Sequence, residues 1–118
     1  MKYALIIYNS TVADSLPLEE RQRIYDKFME VMTLPSVSGA VRLQRVESAT
    51  TVRFGGGKTM LTDGPFVESK EYLGGLIVVE AANLDEAIAM ATTLQDERPY
   101  GAIEVRPMIA TDQPPGTA

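Results

Sequence analysis

The chain has 118 residues, 45% of them hydrophobic, no cysteine, no histidine and a formal net charge of −5. One domain with an unstapled core fits that length, whereas disulfides, thiolate catalysis, sulfur-held metals and a histidine base are excluded. Acid–base chemistry is left to carboxylates, lysine, tyrosine or water, and the acidic balance argues against nucleic acid or an anionic membrane surface as partners.

Residues 2–8, KYALIIY, carry apolar groups on both parities: Tyr3, Leu5 and Ile7 on one face, Ala4, Ile6 and Tyr8 on the other. That pattern predicts a central strand covered on both sides. Its apolar run is too short for a leader peptide and no small-residue cleavage site follows. No segment reaches the roughly 20 apolar residues of a membrane span, so a cytoplasmic protein is expected. After a loop at 9–15, a helix is predicted over 16–34, with Ser15 as N-cap, Pro17 in the first turn and Glu19 and Glu20 at the positive end. Arg21, Ile24, Tyr25, Phe28, Val31 and Met32 fall on one stripe, and Pro35 and Gly39 end the helix.

Residues 40–46 and 50–54 alternate apolar with polar side chains and read as outer strands. Gly55-Gly56-Gly57 makes a hairpin turn into 58–62; the alternative, a phosphate cradle, lacks a complete Gly-Lys-Ser/Thr spacing and a following helix. Residues 73–81, LGGLIVVEA, form the second two-faced strand, in which Gly74 and Gly75 mark a bulge or a close backbone approach. Asn83 and Glu86 open a second helix with Leu84, Ala87, Ile88, Ala91 and Leu94 on its inner face. Arg98-Pro99-Tyr100-Gly101 breaks it, 102–108 makes the last strand, and 109–118 is a polar, proline-rich tail outside the core.

The order is α+β, the ferredoxin-like β-α-β-β-α-β arrangement with an antiparallel sheet and both helices on one face. Two helices cover only one side of such a sheet, yet the two central strands are apolar on both. The simplest cover for the second side is another copy of the chain, docked sheet to sheet as a dimeric α+β barrel.

The stretch 62–91, TDGPFVESKEYLGGLIVVEAANLDEAIAMA, together with 101–108, GAIEVRPM, and the opening MKYALIIY, resembles the YCII-related family in the branch named for its DGPF motif. The resemblance covers residues 1–108. It implies a ferredoxin-like fold that dimerises through its sheets, shared with small-molecule isomerases, monooxygenases and dehalogenating enzymes. Some relatives carry a His–Asp pair proposed as catalytic, which this histidine-free chain cannot supply; Asp63 matches the aspartate of the motif.

Asp63 is the candidate catalytic residue, a carboxylate in a strand-end turn that acts as a general base or holds a polar substrate. The alternative is an Asx-turn in which its oxygens accept backbone N–H bonds. Gly64 and Phe66 complete the turn, the ring packed beneath it or, alternatively, lining a cleft. Glu68 and Lys70 are either a solvated loop or reach the cleft. Tyr8 and Tyr25 place hydroxyls on apolar elements. Arg42, Arg53 and Arg106 either clamp a substrate carboxylate or pair with Glu47, Glu80 or Glu104 across subunits; Arg53, with Tyr8, Tyr25, Gly64, Phe66, Glu68 and Lys70, is a substrate-binding candidate. No cofactor and no metal are expected. The sequence points to a cofactor-independent enzyme acting on a small polar organic molecule, or alternatively to a non-catalytic ligand-sensing or protein-binding module.

Overall fold

The computed structural model describes residues 1–110 and 112–116. Strand β1 spans Lys2–Ser10, helix α1 Leu18–Met32, β2 Val37–Arg42, β3 Thr50–Gly55, β4 Lys58–Asp63, β5 Glu71–Glu80, α2 Leu84–Gln95 and β6 Ala102–Pro107. Strands β1, β2, β5 and β6 form an antiparallel sheet in the order β2-β5-β1-β6. With both helices on one face, the architecture is α+β and compatible with a ferredoxin-like fold. Strands β3 and β4 make a separate two-stranded sheet inserted between β2 and β5.

The core lies between the helices and the sheet. Leu5, Ile77 and Val79 are fully buried, with Tyr3, Val31, Ala87, Ala91 and Leu94 packed around them. Ala87 and Ala91, four residues apart, present a small-residue surface that lets α2 lie close to the sheet. Leu84 and Ile88, expected on that inner face, are 46% and 44% exposed, because the buried stripe runs through Ala87, Ala91 and Leu94 instead. The Asn83 side chain caps α2 as expected, accepting from the Glu86 N–H at 2.9 Å.

Most element ends shift by one or two residues from the sequence reading, and three differences change a cap or a strand. The expected loop at 9–15 contains a 3-10 turn, Thr11–Ser15, capped by the Ser10 hydroxyl, which accepts from the Val12 N–H at 3.2 Å. Ser15 therefore does not cap α1: its hydroxyl donates to the Val12 carbonyl, and α1 starts two residues later with Pro17 at the cap position. Strand β2 begins at Val37, three residues earlier than expected, and is over by Arg42. The tail expected over 109–118 falls partly on Thr111, Thr117 and Ala118, which lie outside the described residues.

Gly74 and Gly75 shape the middle of the sheet. The pairing of β1 with β5 shifts between Ile7 and Tyr8, so Ile7 faces Gly75, Tyr8 faces Leu73, and Gly74 is the extra residue of a bulge. A Cβ on Gly74 would overlap the Asn9 amide, and one on Gly75 the Val41 carbonyl oxygen. The bulge reverses the side-chain parity of β5, placing Tyr72 on the same face as Gly75 and Ile77, the face that looks toward the helices.

On the other face, Ala4, Ile6, Leu76 and Val78 are half-buried within the single chain, while Val41 beside them is 50% exposed. The larger apolar surface lies on the β3–β4 hairpin. Gly56 and Gly57 take positive φ (58° and 79°) in its two-residue turn. Val52 sits directly opposite Leu61, and Phe54 is the next residue on that face; they are 65%, 70% and 77% exposed. The radius of gyration, 16.4 Å, exceeds the roughly 13.5 Å of a compact chain of this length.

Candidate functional site

A cavity of about 300 Å³ opens between α1, the 3-10 turn and the helix-facing side of the sheet. Its floor is apolar, made by Ile7, Leu94 and Ile103, with Ile24 and Phe28 of α1 on one wall. Its polar groups come from five places: Asn9 near the end of β1, Asp14 in the 3-10 turn, Arg21 and Tyr25 on α1, Arg42 at the end of β2 with Gln44 and Arg45 just after it, and Arg98 and Tyr100 in the segment linking α2 to β6. The glycine bulge adds Tyr72 and leaves room for the Asn9 amide. An apolar concavity of this size with a few convergent polar groups has the make-up of a small-molecule site, at the small end of the roughly 300–1,000 Å³ usual for one.

Arg98 is anchored behind the cavity. Its Nη1 donates to Gln95 Oε1 at 2.8 Å, and its Nη2 donates to the Tyr8 carbonyl at 2.7 Å and to Asn9 Oδ1 at 2.9 Å. The Tyr100 ring lies 5.0 Å from its guanidinium. Burial pushes the Arg98 guanidinium below its usual range, but arginine starts so high that the group stays cationic at neutral pH. The Arg42 guanidinium lies over two α1 rings, 5.1 Å from the centre of Tyr25 and 5.6 Å from that of Phe28. Arg45, at the mouth, is held by Asp14 through two bonds of 3.2 and 3.1 Å and by Glu47 at 3.2 Å. The Arg45 bond holds the Glu47 carboxyl below the usual carboxylate range. Burial, with the Asp14 charge second, raises the Tyr72 phenol above its ordinary value, so Tyr72 is a neutral hydrogen-bond donor.

Of the candidate residues singled out from sequence, Tyr25 and Arg42 line the cavity, together with the Gly74-Gly75 pair, and the others do not. Asp63 ends β4 on the exposed hairpin, and among the described residues its side chain makes no hydrogen bond or ion pair. The alternative Asx-turn is likewise absent among the described residues, because other groups hold the turn: the Gly64 N–H donates to the Ala49 carbonyl at 2.7 Å and the Thr51 side-chain hydroxyl to the Gly64 carbonyl at 2.8 Å. Gly64 takes φ 98°, which a side chain would resist. Phe66, expected beneath the turn, is 68% exposed, with Arg53 stacked on it at 5.0 Å. Glu68 and Lys70 are exposed; the Lys70 carbonyl accepts from the Thr11 N–H. Tyr8 points to the opposite face of the sheet and serves the cavity only through its carbonyl. Arg106 pairs with Glu104 on its own strand, whereas Arg42 and Arg53 lie on aromatic rings rather than against acids.

Sequence reasoning missed Asn9, Tyr72 and Arg98. A signal for Tyr72 existed: a glycine pair read as a bulge implies that the preceding residues change face. Arg98 stood in a helix-breaking tetrapeptide, where nothing local distinguishes a buried arginine from a solvated one. Among the described residues, no group of three His, Cys, Asp or Glu side chains is placed to hold a metal, and no helix is long and apolar enough to cross a membrane.

Residues 1–111 match the YCII-related domain. A protein of Rhizobium meliloti (strain 1021), named only as uncharacterized, is 36% identical over 117 residues, an alignment covering 92% of each chain. Near-complete coverage by the family and by this relative, on an antiparallel α+β frame, leads to one assignment: the chain belongs to the YCII-related domain family.

Proposed function

We propose that the chain is a small-molecule binding protein of the DGPF-motif branch, working as a homodimer, with one ligand site per protomer in the cavity between α1 and the sheet. The observation that carries this reading is the cavity itself, an apolar floor ringed by fixed polar groups and set by a glycine bulge. Its support for binding over proton transfer comes from the wall chemistry. The one carboxylate there, Asp14, is bound by Arg45 on both oxygens, and burial raises the Tyr72 phenol further above its ordinary value, keeping it protonated. Asp14 is thus engaged in an ion pair, and Tyr72 is a donor rather than a base. A cofactor-independent enzyme using Asp63 is the second reading, favoured by that carboxylate standing without a side-chain partner among the described residues; it requires a second copy to bring Asp63 to the cavity. Dimerisation is supported by the apolar face of the hairpin, since a two-stranded hairpin is at best marginally stable alone in water.

Filling the cavity tests the site. Ala13 lines it and its neighbour Val12 does not, being 51% exposed. In a thermal-shift screen of small aromatic acids, amides and alcohols, Ala13→Phe and Leu43→Trp are expected to abolish the shifts seen with wild type, and Val12→Phe to preserve them. Shifts that survive both filled variants but vanish in Asp63→Asn would move the site to the hairpin turn.

A further inference from the structure

The charges around the cavity do not balance. In a chain where 16 acidic residues outnumber 11 basic ones, the cavity wall holds four arginines and one acid, Asp14. Asp14 is spent on Arg45, which also takes Glu47. Among the described residues, Arg21, Arg42 and Arg98 form no ion pair. Arg98 is the most telling of the three. Its named acceptors, Gln95, the Tyr8 carbonyl and Asn9, are all neutral, so a half-buried cation faces the cavity without a counter-charge. Leaving a desolvated charge uncompensated is costly, and three like charges around one apolar hollow add repulsion. Arg42, with its guanidinium 5.1 and 5.6 Å from the Tyr25 and Phe28 ring centres, makes no side-chain hydrogen bond or ion pair among the described residues, so its planar N–H fork is available to an oxyanion.

Resting on the cavity as the ligand site, we infer that it takes an organic oxyanion: a carboxylate or phosphate group met by Arg42, Arg21 and Arg98, on an apolar body laid against Ile24, Leu94 and Ile103. The anion supplies the missing counter-charge, and the hydrophobic floor selects against free inorganic ions. The small volume limits the body to about the size of one ring.

Isothermal titration of the full-length protein with phenylacetate, phenyl phosphate and the neutral isostere phenylacetamide tests the inference and separates the two oxyanion types. At least one anion is expected to bind about tenfold or more tightly than phenylacetamide, and to weaken as salt rises. Arg42→Gln and Arg21→Gln are each expected to lose about tenfold in affinity for that anion while phenylacetamide is unaffected; Arg42→Lys, retaining charge without the fork, falls between. Unchanged thermal midpoints for these variants without ligand establish that they fold. Phenylacetamide binding as tightly as both anions, with Ala13→Phe abolishing it, would overturn the oxyanion inference and leave the cavity reading standing. Anion affinity indifferent to both glutamine variants, or no binding of any of the three probes, would overturn it as well.

Discussion

Val52→Asp combined with Leu61→Asp is expected to turn a dimer into a monomer. These residues are directly opposite on one face of the β3–β4 hairpin, with Phe54 beside them, and all three are mostly exposed. Burying a side chain of this size contributes about 1.5–3 kcal/mol. A two-fold interface counts each substitution twice, so the double variant removes four such side chains and puts charges in their place. The loss is on the order of 6 kcal/mol or more, at least about four decades in dissociation constant. Light scattering at micromolar concentration is expected to give twice 12.9 kDa for wild type and 12.9 kDa for the variant. Wild type already running at the smaller mass would remove the homodimer. A variant that stays dimeric would leave the hairpin outside the interface and return the contact to the back of the sheet around Val41.

Gly101→Ala is expected to destabilise the fold by about 3 kcal/mol, combining about 1–2 kcal/mol for a left-handed backbone with about 1–3 kcal/mol for overpacking. Gly101 has φ 67°, and a Cβ there would overlap the Tyr8 carbonyl oxygen. That carbonyl is also an acceptor for Arg98, so relief by moving it disturbs the cavity's back wall. Gly57→Ala separates the two contributions. Gly57 also has positive φ (79°) but open space around it, and only the backbone cost, about 1–2 kcal/mol, is expected. Urea denaturation of both variants checks this; equal midpoints would mean that the Tyr8 contact contributes nothing.

The strands and helices were legible because their signals are local. Two-faced apolar runs at 2–8 and 73–81 identified the two central strands, the glycine triplet identified the hairpin, and Asn83 with Glu86 identified the start of α2. What was not legible is long-range. The bulge at Gly74 depends on pairing with β1, and only that pairing shows that Tyr72 turns toward the helices. The cavity gathers Asn9, Arg21, Arg42, Tyr72 and Arg98 from across nearly the whole chain, and no spacing connects them. Conversely, the Asp63 turn was conspicuous in sequence because Asp-Gly-Pro is a strong turn signal. The conspicuousness reports backbone geometry, seen in the positive φ of Gly64, as much as chemistry. Arg42 shows the intermediate case: its candidacy for binding a carboxylate was readable, but its seat on Tyr25 and Phe28 was not.

Where a small molecule sits on this fold is decided most directly by amide NMR of the isotopically labelled full chain titrated with phenylacetate. Shifts concentrated at Asn9, Tyr72, Gly74, Gly75 and Arg98, lost in Ala13→Phe, are the predicted result. Shifts confined to residues 63–70, with the cavity residues unmoved, would contradict it.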